Sequence, residues 1–203
     1  MIALVDYGAG NVESVAKAIR HLGRTVELTD DSNTIRTADA VILPGVGAFG
    51  DAVGQLRSRG LEQVVLDSAR DTQRPFLGIC VGLQMLFDSS EESTGVPGLG
   101  LMNGRVLRLP SEGGLKVPHI GWNSIEYKHD CPIFARLPEQ PYVYFVHSYY
   151  LRAEDTSMVA ATAQYGVQIH AAVWQESCFA TQFHPEKSGE VGLTILDNFC
   201  SLI

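Results

Sequence analysis

The sequence predicts a three-layer α/β/α fold around a mixed, mostly parallel central sheet. Three observations carry this. Short apolar runs alternate with amphipathic stretches through the first half, glycine-rich turns follow several of those runs, and the second half turns to closely spaced strand-like segments. IALVDY (2–7) is a buried strand, and NVESVAKAIRHLG (11–23) is an amphipathic helix ended by Gly23. RTVELT (24–29) is a second strand, and AVILPG (40–45) is a third, stopped by Pro44. Helical character returns over 51–70, followed by a strand and a helix on either side of Cys80. Strand–helix–strand units of this length imply right-handed crossovers, parallel strands and helices on both faces.

In the second half, 103–110, 123–128, 142–151, 157–165, 169–177 and 178–183 read as strands added to the sheet in antiparallel fashion. Hairpin turns are expected near Tyr165-Gly166 and Glu176-Ser177, and a last helix over roughly 189–202. The glycine-rich SEGGL (111–115) reads as a loop. With no repeat, low-complexity tract or linker, one domain over 1–203 is expected.

A chain of 203 residues buries roughly 70% of its unfolded surface and needs no disulfide or metal staple. The net charge of −8 argues against nucleic acid, since no basic stripe exists to meet a phosphate backbone. The N-terminal MIALVDYGAG lacks the basic region of a signal peptide, and no apolar run reaches the ~18 residues of a membrane span. A cytoplasmic location is the expectation. Cys80, Cys131, Cys178 and Cys200 are scattered without CxxC pairing and read as free thiols. No histidine spacing suggests zinc, so neither metal nor cofactor is expected.

Chemistry concentrates in a few segments. Gly78-Ile79-Cys80-Val81-Gly82 has the form of a nucleophile elbow with cysteine in the central place. A strand-to-helix turn so tight strains the backbone of the central residue and requires small residues two positions away on either side. The sulfur then projects above a helix start, which favours negative charge, and the Val81 N–H points toward a growing oxyanion. The bland alternative is a buried structural cysteine, a common core residue. The other three cysteines lack such a setting and read as structural.

A cysteine nucleophile needs a base, and the base an orienting acid. In Gln182-Phe183-His184-Pro185-Glu186-Lys187, His184 directly follows a strand, and Pro185 biases it toward an extended backbone. Residues two apart in an extended segment point to one side, so Glu186 can reach one ring nitrogen while the other faces the thiol. The turn Leu43-Pro44-Gly45-Val46-Gly47-Ala48-Phe49 follows the third strand and can supply a second oxyanion N–H. Asp6-Tyr7-Gly8-Ala9-Gly10-Asn11 resembles the first part of a dinucleotide fingerprint. The third glycine is missing, however, and Glu13 in its place would repel pyrophosphate.

Together the cysteine elbow, the distal His-x-Glu and the glycine turn resemble the class I glutamine amidotransferases, whose fold is flavodoxin-like. DYGAGN (6–11), PGVGAFGDA (44–52), GICVGLQMLF (78–87), KVPHIGWN (116–123), YFVHSYY (144–150) and QFHPEKSGEVGLTILDNF (182–199) are more narrowly similar to the glutaminase subunits of imidazole glycerol phosphate synthase. The resemblance runs end to end. It implies Cys80, His184 and Glu186 as a catalytic triad that turns glutamine into glutamate and ammonia through a thioester. It implies Val81 with Val46 or Gly47 for the oxyanion, and Gln84, Gly45, Ser148 and Tyr149 for holding glutamine. It also implies a separate partner, a (β/α)8 cyclase subunit that receives the ammonia in histidine biosynthesis. Asn11, Lys116, His119, Trp122, Asn123, Tyr144 and Lys187 are the candidate contacts with that partner. Rival readings are a cysteine hydrolase of related fold, the glutaminase of another complex such as pyridoxal phosphate synthase, and a non-catalytic flavodoxin-like binding module.

Overall fold

The computed structural model describes residues 1–111 and 114–203. An eight-stranded sheet runs in the order β2 (Val26–Thr29), β1 (Ile2–Val5), β3 (Ala40–Leu43), β4 (Phe76–Ile79), β13 (Cys178–Thr181), β12 (Val167–Gln175), β11 (Val159–Tyr165) and β8 (Glu126–Tyr127). Its parallel part comprises β1, β2, β3, β4 and β13. Every residue of β1, β3, β4 and β13 is buried, as expected of strands covered on both faces. Antiparallel strands extend the sheet: β12, β11 and β8.

The chain steps from β1 to β2 in one direction and from β2 over to β3 in the other. Right-handed crossovers therefore put α1 (Val12–His21) on the face opposite α2 (Ser32–Thr37), α3 (Phe49–Ser58) and α4 (Glu62–Arg70). α1 packs with the final helix α6 (Gly189–Cys200), and α2 packs with α4. One buried core reaches from Ile2 to Cys200, with a small satellite of Leu109, Tyr150 and Ile169.

The structure corrects several expectations. The helical stretch 51–70 is two helices, broken where Gly60 takes φ 69°. The helix after Cys80, α5 (Val81–Met85), is only 5 residues long, so its dipole contributes little and the local Val81 N–H is what remains of that argument. The run 142–151 is not one strand of the main sheet. It splits at Ser148 into β9 (Tyr142–His147), paired with β7 (His119–Ser124), and β10 (Tyr149–Ala153), paired with β6 (Gly104–Arg108). β6 also pairs with β5 (Ser89–Ser90), completing a separate three-stranded sheet. The two hairpin turns fall where expected, at Gly166 (φ 70°) and Glu176 (φ 53°). The loop reading over 111–115 falls partly outside the described residues.

A cavity lies at the carboxyl ends of the parallel strands, where open α/β sheets bind ligands, lined in part by the turns after β3, β4 and β13.

Candidate active site

Cys80 sits at the joint between β4 and α5 with φ 56° and ψ −107°, a conformation that side-chain-bearing residues rarely adopt. Its N–H donates to the Thr181 carbonyl at 2.7 Å, which pins the elbow to β13. The small residues on either side have a steric cause. A Cβ on Gly82 would lie 2.0 Å from the Leu43 carbonyl oxygen, and one on Gly78 would lie 3.1 Å from Ala180 Cβ. This is the strained turn that the sequence predicts.

β13 ends by delivering His184 to the same place. His184 Nδ1 donates to Glu186 Oε1 at 2.8 Å, with both side chains essentially buried. The Ser188 hydroxyl donates to the His184 carbonyl at 2.6 Å, and the His184 N–H donates to the Tyr144 carbonyl at 3.0 Å. Among the described residues, the buried His184 Nε2 makes no hydrogen bond. Burial pulls the His184 pKa down, but its interactions with Cys80 and Glu186 outweigh this and push it up to about 9.

Cys80, Val81, Gln84, His184, Ser148, Tyr149, Val46 and Gly47 line a single cavity of about 290 Å³. Residues from opposite ends of the chain therefore meet as the sequence expects. Gly45 is the exception. It does not line the cavity, because it is wedged so tightly that a Cβ there would lie 2.7 Å from Gly82 N and 2.8 Å from Tyr7 Oη. Its carbonyl instead accepts the Val81 N–H at 3.3 Å. The donor expected to hold an oxyanion is thus engaged by the protein's own backbone. Tyr7 Oη holds the same turn from behind by donating to the Pro44 carbonyl at 2.8 Å. Burial, and then Cys80 nearby, push the Tyr7 phenol well above its usual range, so it acts as a neutral donor.

Gln84 Nε2 donates to the Tyr149 carbonyl and to Gln182 Oε1, both at 3.0 Å. With both amide protons committed, Gln84 has only its oxygen to offer a ligand. Gln182, fully buried, presents its own Nε2 3.6 Å from Cys80 Sγ. Sequence reasoning missed Gln182, which follows β13 directly and lies two residues before His184. Glu92, also unforeseen, lines the cavity while its Oε2 accepts the Phe49 N–H at 2.8 Å. Cys131, Cys178 and Cys200 are buried, and burial pushes their thiols up to about 12, 12 and 11. They are poor nucleophiles, in keeping with their structural reading.

His147, which lines the cavity, forms a buried pair with His119 behind it. His147 Nδ1 donates to the Tyr149 carbonyl at 2.9 Å, so its Nε2 is the acceptor for His119 Nδ1 at 3.0 Å. His119 stacks between Phe145 and Tyr165. Its expected role as an outward partner contact is therefore corrected: it is 4% exposed and faces inward. Asn123 is half-buried and donates to the Gln164 carbonyl at 2.9 Å. Trp122, by contrast, is 55% exposed and meets Tyr144 edge-on, with Ile120 and Tyr142 also exposed on this outer face of β7 and β9. Asn11 donates through Nδ2 to Glu186 Oε1 at 2.6 Å, Lys116 is exposed, and Lys187 lines the cavity mouth. No three His, Cys, Asp or Glu side chains among the described residues are placed to hold a metal.

Burial pushes both His119 and His147 from 6.5 down to about 4. Between those pH values the unfolded chain binds protons that the folded chain refuses, so stability falls as pH drops through this window and levels off below it. Above pH 6.5 the pair is neutral in both states and adds no pH dependence. The His119→Gln/His147→Gln double variant is expected to show a shallower fall in urea midpoint between pH 6.5 and 4. An unchanged slope would remove the pair from this account.

A strained strand–turn–helix cysteine, a buried His–Glu pair and a shared cavity on a parallel α/β sheet are arranged as a cysteine-dependent α/β enzyme requires. The profile of the family described as Glutamine amidotransferase class-I matches residues 3–202, and the chain belongs to that family of enzymes. It is 50% identical over 204 residues to imidazole glycerol phosphate synthase subunit HisH of Syntrophotalea carbinolica, covering 98% of each chain. It is 48% identical over 203 residues to the HisH subunit of Methanothermobacter thermautotrophicus, covering 100% of this chain and 99% of that one. Within the class, then, it belongs to the HisH family of synthase subunits. The fold is shared more widely: the structure of PurLQS from Thermotoga maritima aligns with a TM-score of 0.75 at 21% identity, over 98% of this chain and 97% of that one.

Proposed function

We propose that residues 1–203 form one amidotransferase domain in which Cys80, His184 and Glu186 release ammonia from glutamine for a cyclase partner in the cytoplasm. The observation that carries this is the triad itself: a strained cysteine, and a histidine held by a buried carboxylate at 2.8 Å, on one cavity.

Cys80 gives its thiol proton to His184 Nε2 as Sγ attacks the side-chain amide carbon of glutamine, and the carbonyl electrons move onto oxygen. On collapse the C–N bond breaks, His184 Nε2 gives its proton to the leaving nitrogen, and ammonia departs. Water then gives a proton to His184 and its oxygen attacks the γ-glutamyl thioester. Collapse returns the sulfur and releases glutamate. Glu186 keeps Nδ1 protonated and stabilises the imidazolium between these steps. The Glu92 carboxylate suits the α-ammonium of the substrate, and Gln84 Oε1 and the Ser148–Tyr149 backbone hold the remainder.

The oxyanion site is closed at rest, because the Val81 N–H is spent on the Gly45 carbonyl. Rotation of the Gly45–Val46 peptide frees it and swings the Val46 N–H toward the same point, giving two donors to the developing charge. Removing a single such donor costs about 10²–10³ in rate, so the resting chain is a slow enzyme. The exposed Ile120–Trp122–Tyr142 face borders the cavity wall at Val146, and an apolar patch beside a mouth suits a partner that seals it. Lys116, Lys187, Tyr144 and Trp122 are the contacts we assign to this partner.

The test is glutamate release with no partner, with empty cyclase and with cyclase bearing its ribulotide substrate, for wild type and Cys80→Ala. Release is expected to rise by about 10²-fold or more with the loaded partner and to vanish in the variant. Equal rates with loaded and empty partner would overturn the coupling. Activity surviving in Cys80→Ala would overturn the role of the thiol.

A further inference from the structure

Asn11 occupies the N-cap of α1, where an asparagine side chain ordinarily accepts an N–H of the first helical turn. Here it makes no such bond. Its backbone is left-handed, φ 66° and ψ 5°, a conformation glycine takes without cost and asparagine tolerates. The side chain instead reaches a residue 175 positions away, donating Nδ2–H to Glu186 Oε1 at 2.6 Å. That same oxygen receives the His184 Nδ1–H at 2.8 Å. The other carboxylate oxygen, Oε2, is buried with no partner among the described residues.

This arrangement is asymmetric in a way that has a consequence. A carboxylate with one occupied and one vacant oxygen can rotate and exchange them, which would tilt or release the imidazole. Two donors converging on Oε1 fix which oxygen faces His184, and the Asn11 bond is short, as charge-assisted bonds are. The donor identity is set by chemistry: facing a carboxylate, an amide presents its NH2 and not its oxygen. The Glu186 side chain is fully buried, so no solvent replaces the bond if it is lost.

We propose that Asn11 is a positioning residue of the catalytic triad, holding Glu186 so that a single carboxylate oxygen orients His184. This rests on the glutaminase reading above and adds to the role of Asn11 as a candidate partner contact.

Asn11→Gly is the cleanest deletion, since glycine keeps the left-handed turn while removing the amide. Asn11→Asp keeps size and backbone preference but sets a negative oxygen where the donor was. With saturating partner and glutamine, Asn11→Gly is expected to lower kcat about tenfold with KM within about twofold, the scale of lost orienting contacts. Asn11→Asp is expected to lose at least as much, and both variants should stay folded at the assay temperature but melt below wild type, Asn11→Asp the lower, because a buried carboxylate loses its donor or gains a like charge. In the isolated chain the downfield imidazole Nδ1–H proton resonance of His184 should shift or broaden in both variants.

A kcat and an imidazole resonance unchanged from wild type would overturn the proposal, as would a loss that excess partner restores, since that marks a binding defect. If the resonance responds while wild type itself releases no glutamate, the positioning role stands and the glutaminase reading fails.

Discussion

Replacing Cys80 with glycine or alanine abolishes glutamate release, and the glycine variant melts no lower than the alanine variant. The first half follows from the chemistry. Removing the nucleophile of a covalent mechanism leaves only binding and oxyanion contacts, so the loss is about 10⁶-fold in kcat. The second half follows from the backbone. At an ordinary position glycine is less stable than alanine by roughly 0.5–1 kcal/mol. At φ 56° and ψ −107°, any Cβ carries a strain of order 1–3 kcal/mol, which glycine escapes. The usual order is therefore cancelled or reversed. Calorimetry on both variants and wild type checks it, and a glycine variant clearly below alanine would mean that the elbow is unstrained.

The second large effect is on stability. Gly82→Ala places a methyl 2.0 Å from the Leu43 carbonyl oxygen and 3.1 Å from its carbonyl carbon, and neither can yield as a side chain would. Either the end of β3 or the elbow must move, at a cost of about 3 kcal/mol or more. For a chain of this length that is a fall of roughly 6–12 °C in melting temperature. The displaced elbow should silence catalysis as well. Gly54→Ala is the control: it lies inside α3 with nothing within 4 Å of the new methyl. It should raise stability by up to about 1 kcal/mol through helix propensity and reduced unfolded-chain freedom. Similar melting points for the two variants would refute the packing argument.

These positions also show what a sequence makes legible. The elbow could be read because its geometry imposes a local pattern, small residues two places either side of Cys80. Gly82 proves to touch β3, and Gly78 faces β13. His184 and Glu186 were readable because proline and a spacing of two keep both side chains on one side. The hairpins at Gly166 and Glu176 announced themselves through turn residues. The short helix α2 went unread although its signal was present: Asp31 caps it, with Oδ2 accepting the Thr34 N–H at 2.8 Å.

What stayed hidden depends on contacts between distant segments. Gln182 reaches Cys80 across 102 positions and Asn11 reaches Glu186 across 175, and no local pattern encodes either. The split of 142–151 at Ser148 was invisible for the same reason. Both halves are good strands, and only the partners of each, β7 for one and β6 for the other, force the chain to change sheets. That break brings Ser148 and Tyr149 into the cavity wall. The closed state of the oxyanion site is a single peptide orientation at Gly45, which composition and spacing do not record.

The most direct test of the account is to mix the enzyme and its loaded partner with glutamine, quench in acid within one turnover, and locate the modified peptide by mass spectrometry. A γ-glutamyl group on the peptide that carries Cys80, and on none that carries Cys131, Cys178 or Cys200, is the predicted result. Turnover without any adduct on Cys80, or an adduct on another cysteine, would contradict the mechanism at its centre.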